Sequence, residues 1–90
     1  MKYTVITQKL AESQFQKIVH SGDKNSLKKL KKILLELEEH PTTGIGNPEI
    51  LKHSLSGLWS RRLNKKDRLI YEIFEEPDQL GVVISALVHY

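Results

Sequence analysis

The chain has 90 residues, of which 39% are hydrophobic and 28% charged, and its net charge at pH 7 is +3. This length and composition predict one domain over residues 1–90 with a single small core. The absence of cysteine excludes disulfides and thiolate chemistry and is typical of a reducing cytoplasm. No apolar run reaches the roughly 18 residues that a membrane helix needs. We therefore expect a cytoplasmic protein without membrane contact.

The first half of the chain predicts one strand and two helices. Alternating residues 2–6 indicate a strand, and Thr7 is placed to cap the helix that follows. Apolar residues then recur at helical spacing as far as Gly22, a residue type that favours a helix end. Asp23 can cap a second helix, which His40-Pro41 ends. The apolar stripe of that helix consists of Leu27, Leu30, Ile33, Leu34 and Leu37.

The second half of the chain predicts a meander of strands. Gly44, Gly46 and Pro48 indicate a loop. Tight turns follow at residues 64–67 and 75–78, and the segments between these breaks are rich in β-branched and aromatic residues. They predict strands over residues 58–63, 68–74 and 80–89. The order β-α-α-β-β-β predicts an α+β fold in which two helices pack on one face of a mainly antiparallel, twisted sheet.

Basic residues are concentrated in one part of the sequence. Between residues 52 and 68 the only acid is Asp67, whereas the cations are Lys52, Arg61, Arg62, Lys65, Lys66 and Arg68. Such a concentration indicates a polyanionic partner. Adjacent residues of a strand point to opposite faces, so at most one of Arg61 and Arg62 can face a site directly. The other one forms either a salt bridge or a separate contact with the polyanion.

The charges of the second helix oppose its dipole. Its N-terminal half carries Lys28, Lys29, Lys31 and Lys32, and its C-terminal half carries Glu36, Glu38 and Glu39. Each exposed charge placed this way costs about 0.3–1 kcal/mol at low salt. Two interpretations stay open, a solvated face and a ridge of lysines that contacts phosphates.

The sequence ends on His89-Tyr90. Chain ends normally fray, so a histidine and a tyrosine there are poor choices for packing alone. Histidine is the side chain that titrates near neutral pH, and arginine is suited to holding phosphate. Together with the basic cluster, this ending indicates phosphodiester chemistry.

Three motifs occur together at fixed separations, namely residues 44–62, Arg68-Leu69-Ile70-Tyr71 and His89-Tyr90. In this combination they resemble the signature of the YoeB/RelE toxin family, and its YoeB branch most closely. The pattern of that branch is G-x-G-x-P-E-x-L-K-H-x-L-x-G-x-W-S-R-R, then R-L-V-Y, then a terminal H-Y. The resemblance implies a RelE-like microbial ribonuclease-type fold.

The resemblance also implies a function. Members of the family are ribosome-dependent endoribonucleases that cleave mRNA in the ribosomal A site without a metal or other cofactor, and a cognate antitoxin holds each of them inactive. The partners implied are a YefM-like antitoxin, the ribosome and its mRNA, with operator DNA bound only through the toxin–antitoxin complex. A homodimer is left open.

Site residues follow from the chemistry and from the resemblance together. Glu49 is the one carboxylate of the first motif and matches the catalytic glutamate of the family, so it is the candidate general base. His89 is the candidate general acid, and Arg68 the cation that holds the phosphorane. Tyr90 could orient His89, stack on a base or donate a hydrogen bond. The expected RNA- and ribosome-binding residues are Lys52, His53, Arg61, Arg62, Lys65, Lys66, Lys28, Lys29, Lys31 and Lys32.

The chain departs from the family pattern at three places. Asn47 stands where a lysine is common, Asp67 stands where a histidine is common, and Ala86-Leu87-Val88 replaces a more polar approach to the terminal pair. The first change removes one expected RNA contact, the second places an anion beside Arg68, and the third argues against an accessory role of residues 86–88. The candidate catalytic residues are all present.

Two other classes of function use the same basic residues. A non-catalytic RNA- or DNA-binding module would need the cations but not Glu49 or His89. A ribosome-independent ribonuclease would need all of them and would cut naked RNA.

Overall fold

The computed structural model describes residues 2–52, 57–76 and 79–89, except for the side chain of His89. Two helices pack on one face of a five-stranded sheet of order β1-β5-β4-β3-β2, so the predicted α+β fold is confirmed. The elements are β1 (Thr4–Thr7), α1 (Lys9–Ser21), α2 (Lys24–Leu37), β2 (Glu49–Ile50), β3 (Leu58–Arg62), β4 (Asp67–Glu76) and β5 (Gln79–His89). Neither helix of this described chain is long and apolar enough to cross a membrane.

The boundary between the two helices forms as predicted. Gly22 adopts the left-handed conformation, with φ of 79°, and ends α1. The carboxylate of Asp23 accepts hydrogen bonds from the backbone N–H of Ser26 at 3.1 Å and from its hydroxyl at 2.7 Å. Asp23 is therefore the N-cap of α2. The helix itself ends at Leu37, before the predicted stop at His40-Pro41.

The predicted cap of the first helix is wrong. Thr7 belongs to β1, where it pairs in parallel with Ile84 of β5. Gln8 occupies the N-cap position and makes no side-chain capping bond. Its backbone N–H instead donates to the Ile84 carbonyl oxygen at 2.9 Å. Thr7 and Gln8 therefore pair with the sheet and do not cap the helix.

The core lies between α2 and the two long strands. Of the predicted stripe, Leu30, Ile33 and Leu37 are buried, and Leu27 and Leu34 are half-buried. Burying a large aliphatic side chain stabilises a fold by about 1.5–3 kcal/mol, so this stripe holds α2 on the sheet. The sheet contributes Leu69, Tyr71, Val82, Ile84 and Leu87 to the same core.

The short strand β2 was not predicted. It pairs antiparallel with β3, with Glu49 opposite Ser60. Just before it, the carbonyl oxygen of Gly46 accepts a hydrogen bond from the Arg62 backbone at 2.7 Å. Gly46 has φ of 83°, and a Cβ there would lie 2.7 Å from the Arg62 carbonyl oxygen, so a glycine is needed. The predicted loop therefore ends by adding an edge strand that carries Glu49.

The hairpin of β4 and β5 contains a β-bulge. Ile70 lies opposite Ala86 and Tyr71 lies opposite Ile84, so Ser85 is an extra residue in β5. Without the bulge, residues three apart would point to opposite faces, yet Ile84 and Leu87 are both buried. The bulge thus shifts the alternation of the last strand before the chain reaches His89.

Candidate active site

Three predicted site residues lie on the face of the sheet that carries no helix. Leu69 of β4 is buried against the helices, so its neighbour Arg68 points to the other face. Arg62 pairs with Arg68 across β3 and β4, and residues paired in register share a face. Glu49 pairs with Ser60, two residues before Arg62 on the same strand. The sheet therefore brings Glu49, Arg62 and Arg68 together.

Glu49 and Arg68 form an open ion pair. The Oε2 atom of Glu49 lies 3.9 Å from Nη1 of Arg68, which is longer than a hydrogen bond. The Glu49 side chain is 55% exposed, whereas that of Arg68 is 11% exposed. A solvent-accessible carboxylate thus stands beside a largely buried guanidinium. Such a pair can accept a proton at one group and hold an anion at the other.

Four other predicted cations are exposed. Arg62 lies on the same face as the pair, Lys52 follows β2, and Lys65 and Lys66 lie at the turn between β3 and β4. Asn64 stabilises that turn, because its Oδ1 accepts hydrogen bonds from two backbone N–H groups, that of Lys66 at 2.8 Å and that of Asp67 at 2.7 Å. Its amide also donates to the Ser26 hydroxyl at 2.8 Å, which joins the turn to the start of α2.

The lysines of α2 do not join the Glu49–Arg68 pair. Lys28, Lys31 and Lys32 are exposed and Lys29 is half-buried. Their helix packs on the opposite face of the sheet. The structure therefore separates the predicted binding residues into two regions.

Arg61 corrects one prediction from the sequence. Its side chain is completely buried, so it does not offer RNA a surface, and the salt-bridge alternative is the right one. A guanidinium has five N–H donors, and the chain itself provides five acceptors for them. The acceptors are Glu36 Oε1 at 2.6 Å, Tyr71 Oη at 3.2 Å and the carbonyl oxygens of His40 at 2.6 Å, Thr43 at 2.8 Å and Ile45 at 3.3 Å.

These acceptors form what we call the Arg61 cage, made of Glu36, His40, Thr43, Ile45 and Tyr71. Within it, Glu36 also accepts from the Ile45 backbone at 3.0 Å, and the Tyr71 hydroxyl donates to the Pro41 carbonyl oxygen at 2.7 Å. Burial raises the pKa of the Tyr71 phenol, and the adjacent Arg61 partly opposes that rise. The cage closes residues 40–45 around one cation, and the chain leaves it directly toward β2 and Glu49.

Sequence reasoning did not identify the role of Glu36. It grouped this residue with the acids at the end of α2, where they oppose the helix dipole. Its position in the helix could have indicated this role. Glu36 lies three residues after Ile33 of the apolar stripe and therefore borders the buried side of the helix. A carboxylate there needs a buried partner, and Arg61 is that partner.

The end of β5 lies next to Arg68. Val88 pairs with Arg68, and the next residue, His89, pairs with Asp67. The main chain of His89 therefore lies one step along the strands from the pair that contains Arg68. The His89 side chain, His53 and Tyr90 lie outside the described residues, and their roles stay predictions. Across residues 2–52, 57–76 and 79–89, no group of three or more acidic or histidine side chains is arranged to hold a metal ion.

Comparison with known proteins agrees with this fold. The family model for the YoeB-like toxin of bacterial type II toxin–antitoxin systems matches residues 11–90. Toxin YoeB of Synechocystis sp. is 43% identical over 69 residues, which are 77% of each chain. The structure of the YoeB dimer from Staphylococcus aureus has a TM-score of 0.75 at 27% identity, covering 100% of this chain and 98% of that one. A chain of the heterotetrameric YoeB–YefM complex from the same organism has a TM-score of 0.74 at 26% identity, with coverage of 100% and 98%.

The fold and these matches thus define a toxin of a bacterial toxin–antitoxin system. The chain belongs to the YoeB-like toxin family, which confirms the resemblance seen in its motifs.

Proposed function

We propose that this toxin is a ribosome-dependent endoribonuclease that cleaves mRNA in the ribosomal A site and so stops translation. The observation that carries this function is the open Glu49–Arg68 pair, at 3.9 Å, on the helix-free face of the sheet. The exposed Arg62 lies on the same face, and the main chain of His89 pairs with Asp67, the residue before Arg68. Membership of the YoeB-like family supports RNA as the polyanion that these cations bind.

The chemistry needs three groups. Glu49 removes the proton from a ribose 2′-OH, and the 2′ oxygen attacks the adjacent phosphorus. Arg68 stabilises the negative charge of the pentacoordinate phosphorane. His89 donates its proton to the 5′ oxygen as the bond from phosphorus to that oxygen breaks. The products are a 2′,3′-cyclic phosphate and a free 5′-OH, and no metal ion is required.

The exposure of the site supports its dependence on the ribosome. The Glu49 side chain is 55% exposed and lies on an open sheet face rather than in a closed pocket. A solvated carboxylate is a poor base until a partner excludes water and holds the 2′-OH against it. The ribosome with its bound mRNA would supply both. Arg62, Lys52, Lys65 and Lys66 would contact nucleic acid around the cut.

The same face suits an antitoxin. In the YoeB–YefM complex of Staphylococcus aureus, a structural relative assembles with such a partner. An acidic, partly disordered peptide that folds on Lys52, Arg62 and Arg68 would block the site. The buried Arg61 does not contribute to this contact. The complex, rather than the toxin alone, would bind operator DNA in the cytoplasm, and the YoeB dimer supports a homodimer of the free toxin.

The test is cleavage of one mRNA by the purified protein, with and without programmed ribosomes. We expect cuts only with ribosomes, 5′-OH ends on the downstream fragments, and protection by the antitoxin. Cutting of naked mRNA would instead support a ribosome-independent ribonuclease. Tight binding to ribosomes without any cut would support a non-catalytic module.

A further inference from the structure

We infer that Gln14 of α1 is a positioning residue for His89, an inference that rests on the proposed function. The amide of Gln14 forms two hydrogen bonds with one residue of the last strand. Its Nε2 donates to the Leu87 carbonyl oxygen at 2.8 Å, and its Oε1 accepts from the Leu87 N–H at 2.7 Å. Leu87 lies two residues before His89.

These two hydrogen bonds take the place of backbone pairing at one edge of the last strand. In the described parts of the chain, β1 pairs with β5 only from Gly81 to Ile84, and Gln8 continues the contact at Ile84. Beyond that point the N–H and C=O of Leu87 face an edge where no strand of the described chain pairs. Leaving one such buried group without a partner costs about 1–3 kcal/mol. The Gln14 amide presents one donor and one acceptor side by side, as a neighbouring strand would.

The position of the contact makes it relevant to catalysis. The last residues of a strand fray unless they are held in place. Here β4 holds one edge of the segment, through the pairs of Arg68 with Val88 and of Asp67 with His89. Gln14 holds the other edge, and the buried Leu87 side chain anchors the segment in the core. The last strand is therefore held at both edges as far as Leu87, two residues before the candidate general acid.

A general acid works only within hydrogen-bond reach of the atom that it protonates. Misplacement by about 1 Å can reduce a rate about 10²-fold. Releasing the last strand should therefore lower the rate of the chemical step without changing the basic surface that binds the ribosome.

The test compares Gln14→Ala with Gln16→Ala, an exposed glutamine on the same helix. Single-turnover cleavage at saturating programmed ribosomes, ribosome affinity and hydrogen exchange at the Leu87 amide are measured for each. Gln14→Ala should reduce the cleavage rate about 10- to 100-fold, leave affinity unchanged and speed exchange at Leu87. Gln16→Ala should match the parent in all three measurements.

A double variant separates positioning from general loss of structure. His89→Gln alone should lose about 10²–10⁴-fold in rate, because it removes the proton donor. Adding Gln14→Ala to His89→Gln should then cause no further loss. A further 10- to 100-fold loss, or parental cleavage by Gln14→Ala itself, would overturn the role of Gln14.

Failure of the proposed function has a different signature. If the parent cut no mRNA on programmed ribosomes, the endoribonuclease function would be wrong, and a role for Gln14 in that chemistry would be wrong with it. Hydrogen exchange would still decide whether the amide holds the strand, because unchanged exchange at Leu87 in Gln14→Ala would contradict the contact itself.

Discussion

Two arginine–glutamate pairs lie on opposite faces of the same sheet and differ in both burial and separation. In the closed pair, Arg61 is fully buried, Glu36 is 22% exposed, and their charged atoms are 2.6 Å apart. In the open pair, Arg68 is 11% exposed, Glu49 is 55% exposed, and the separation is 3.9 Å. In the closed pair, acceptors of the same chain take all five N–H donors of Arg61, whereas the open pair keeps an accessible carboxylate. A basic motif can therefore combine a cation that builds the fold with cations that meet a ligand.

The contrast is sharpest between neighbours. Arg61 and Arg62 are adjacent in β3, yet one is buried among five acceptors and the other is exposed. The pleat of the strand separates them, because successive side chains point to opposite faces. The cage around Arg61 holds residues 40–45, which come before β2 and Glu49 in the chain. The closed pair thus belongs to the fold, whereas the open pair belongs to the candidate site.

Removal of Arg61 should have the largest effect on stability. Arg61→Ala removes the cation that pairs with Glu36 and the donor to three carbonyl groups, and loss of one partner of a buried pair costs about 3–5 kcal/mol. Small domains have a total of about 5–15 kcal/mol, so much of the fold's stability should be lost. Arg61→Lys should recover little, since lysine offers three donors in place of five.

Urea denaturation checks this prediction, with Arg62→Ala as the neighbouring control. That exposed position should change the free energy of unfolding by no more than about 0.5 kcal/mol. Equal stability of the two alanine variants would contradict the structural role of Arg61.

Removal of Arg68 should have the largest effect on chemistry. Arg68→Ala should reduce single-turnover cleavage about 10²–10³-fold, with a smaller loss of ribosome affinity, because the phosphorane carries more charge than the ground state. Arg62→Ala should show the reverse pattern, with weaker binding and a nearly parental rate at saturation. Cleavage assays and binding titrations on both variants check the difference. If Arg68→Ala lost only ribosome affinity and kept the parental cleavage rate, Arg68 would have no role in the chemical step.

The lysines of α2 should have a smaller effect, confined to binding. Lys28→Gln/Lys32→Gln removes two exposed charges one helical turn apart. If this ridge binds ribosomal RNA, affinity should fall, and the slope of log affinity against log salt should decrease by about 0.7 for each phosphate that is no longer neutralised. The charge-matched control Lys9→Gln/Lys17→Gln on α1 should weaken binding less. Equal effects of the two variants would favour the alternative of a solvated face.

The smallest expected effect concerns acid stability at the start of α2. Hydrogen bonds from the Ser26 hydroxyl and then from its backbone N–H lower the pKa of Asp23. A carboxyl whose pKa is lowered on folding stabilises the fold above its unfolded value of about 3.9, and this contribution is lost as pH falls through the folded value. Asp23→Asn should therefore be less stable than the parent at pH 7 and approach it below about pH 4. Thermal unfolding between pH 2 and 7 checks this, and a constant difference would contradict it.

Local patterns predicted much of this molecule. The stripe of α2, the Asp23 cap, the Gly22 stop and the hairpin of β3 and β4 all depend on residues close in sequence, and they form as expected. Strand β2 was not predicted, because its two residues are too few to show an alternating hydrophobic pattern. They become a strand only by pairing with β3.

The site depended on interactions that a local pattern does not contain. The pleat predicted that Arg61 and Arg62 diverge, but only Glu36, 25 residues away, decides which one is buried. Gln14 meets Leu87 across 73 residues, and no feature of its helix indicates that contact. The bulge at Ser85, which sets the alternation of the last strand, is likewise a property of the paired strands.

The most direct measurement exchanges the two glutamates separately and follows mRNA cleavage on programmed ribosomes, expressed per folded molecule. Glu49→Gln should unfold at the parental temperature and lose about 10²–10⁴-fold in single-turnover rate, because its carboxylate is exposed and acts as the base. Glu36→Gln should unfold at a lower temperature, because it removes the charge that pairs with Arg61, and its folded fraction should cut at nearly the parental rate. Parental cleavage by Glu49→Gln would contradict the assignment of chemistry to the open pair.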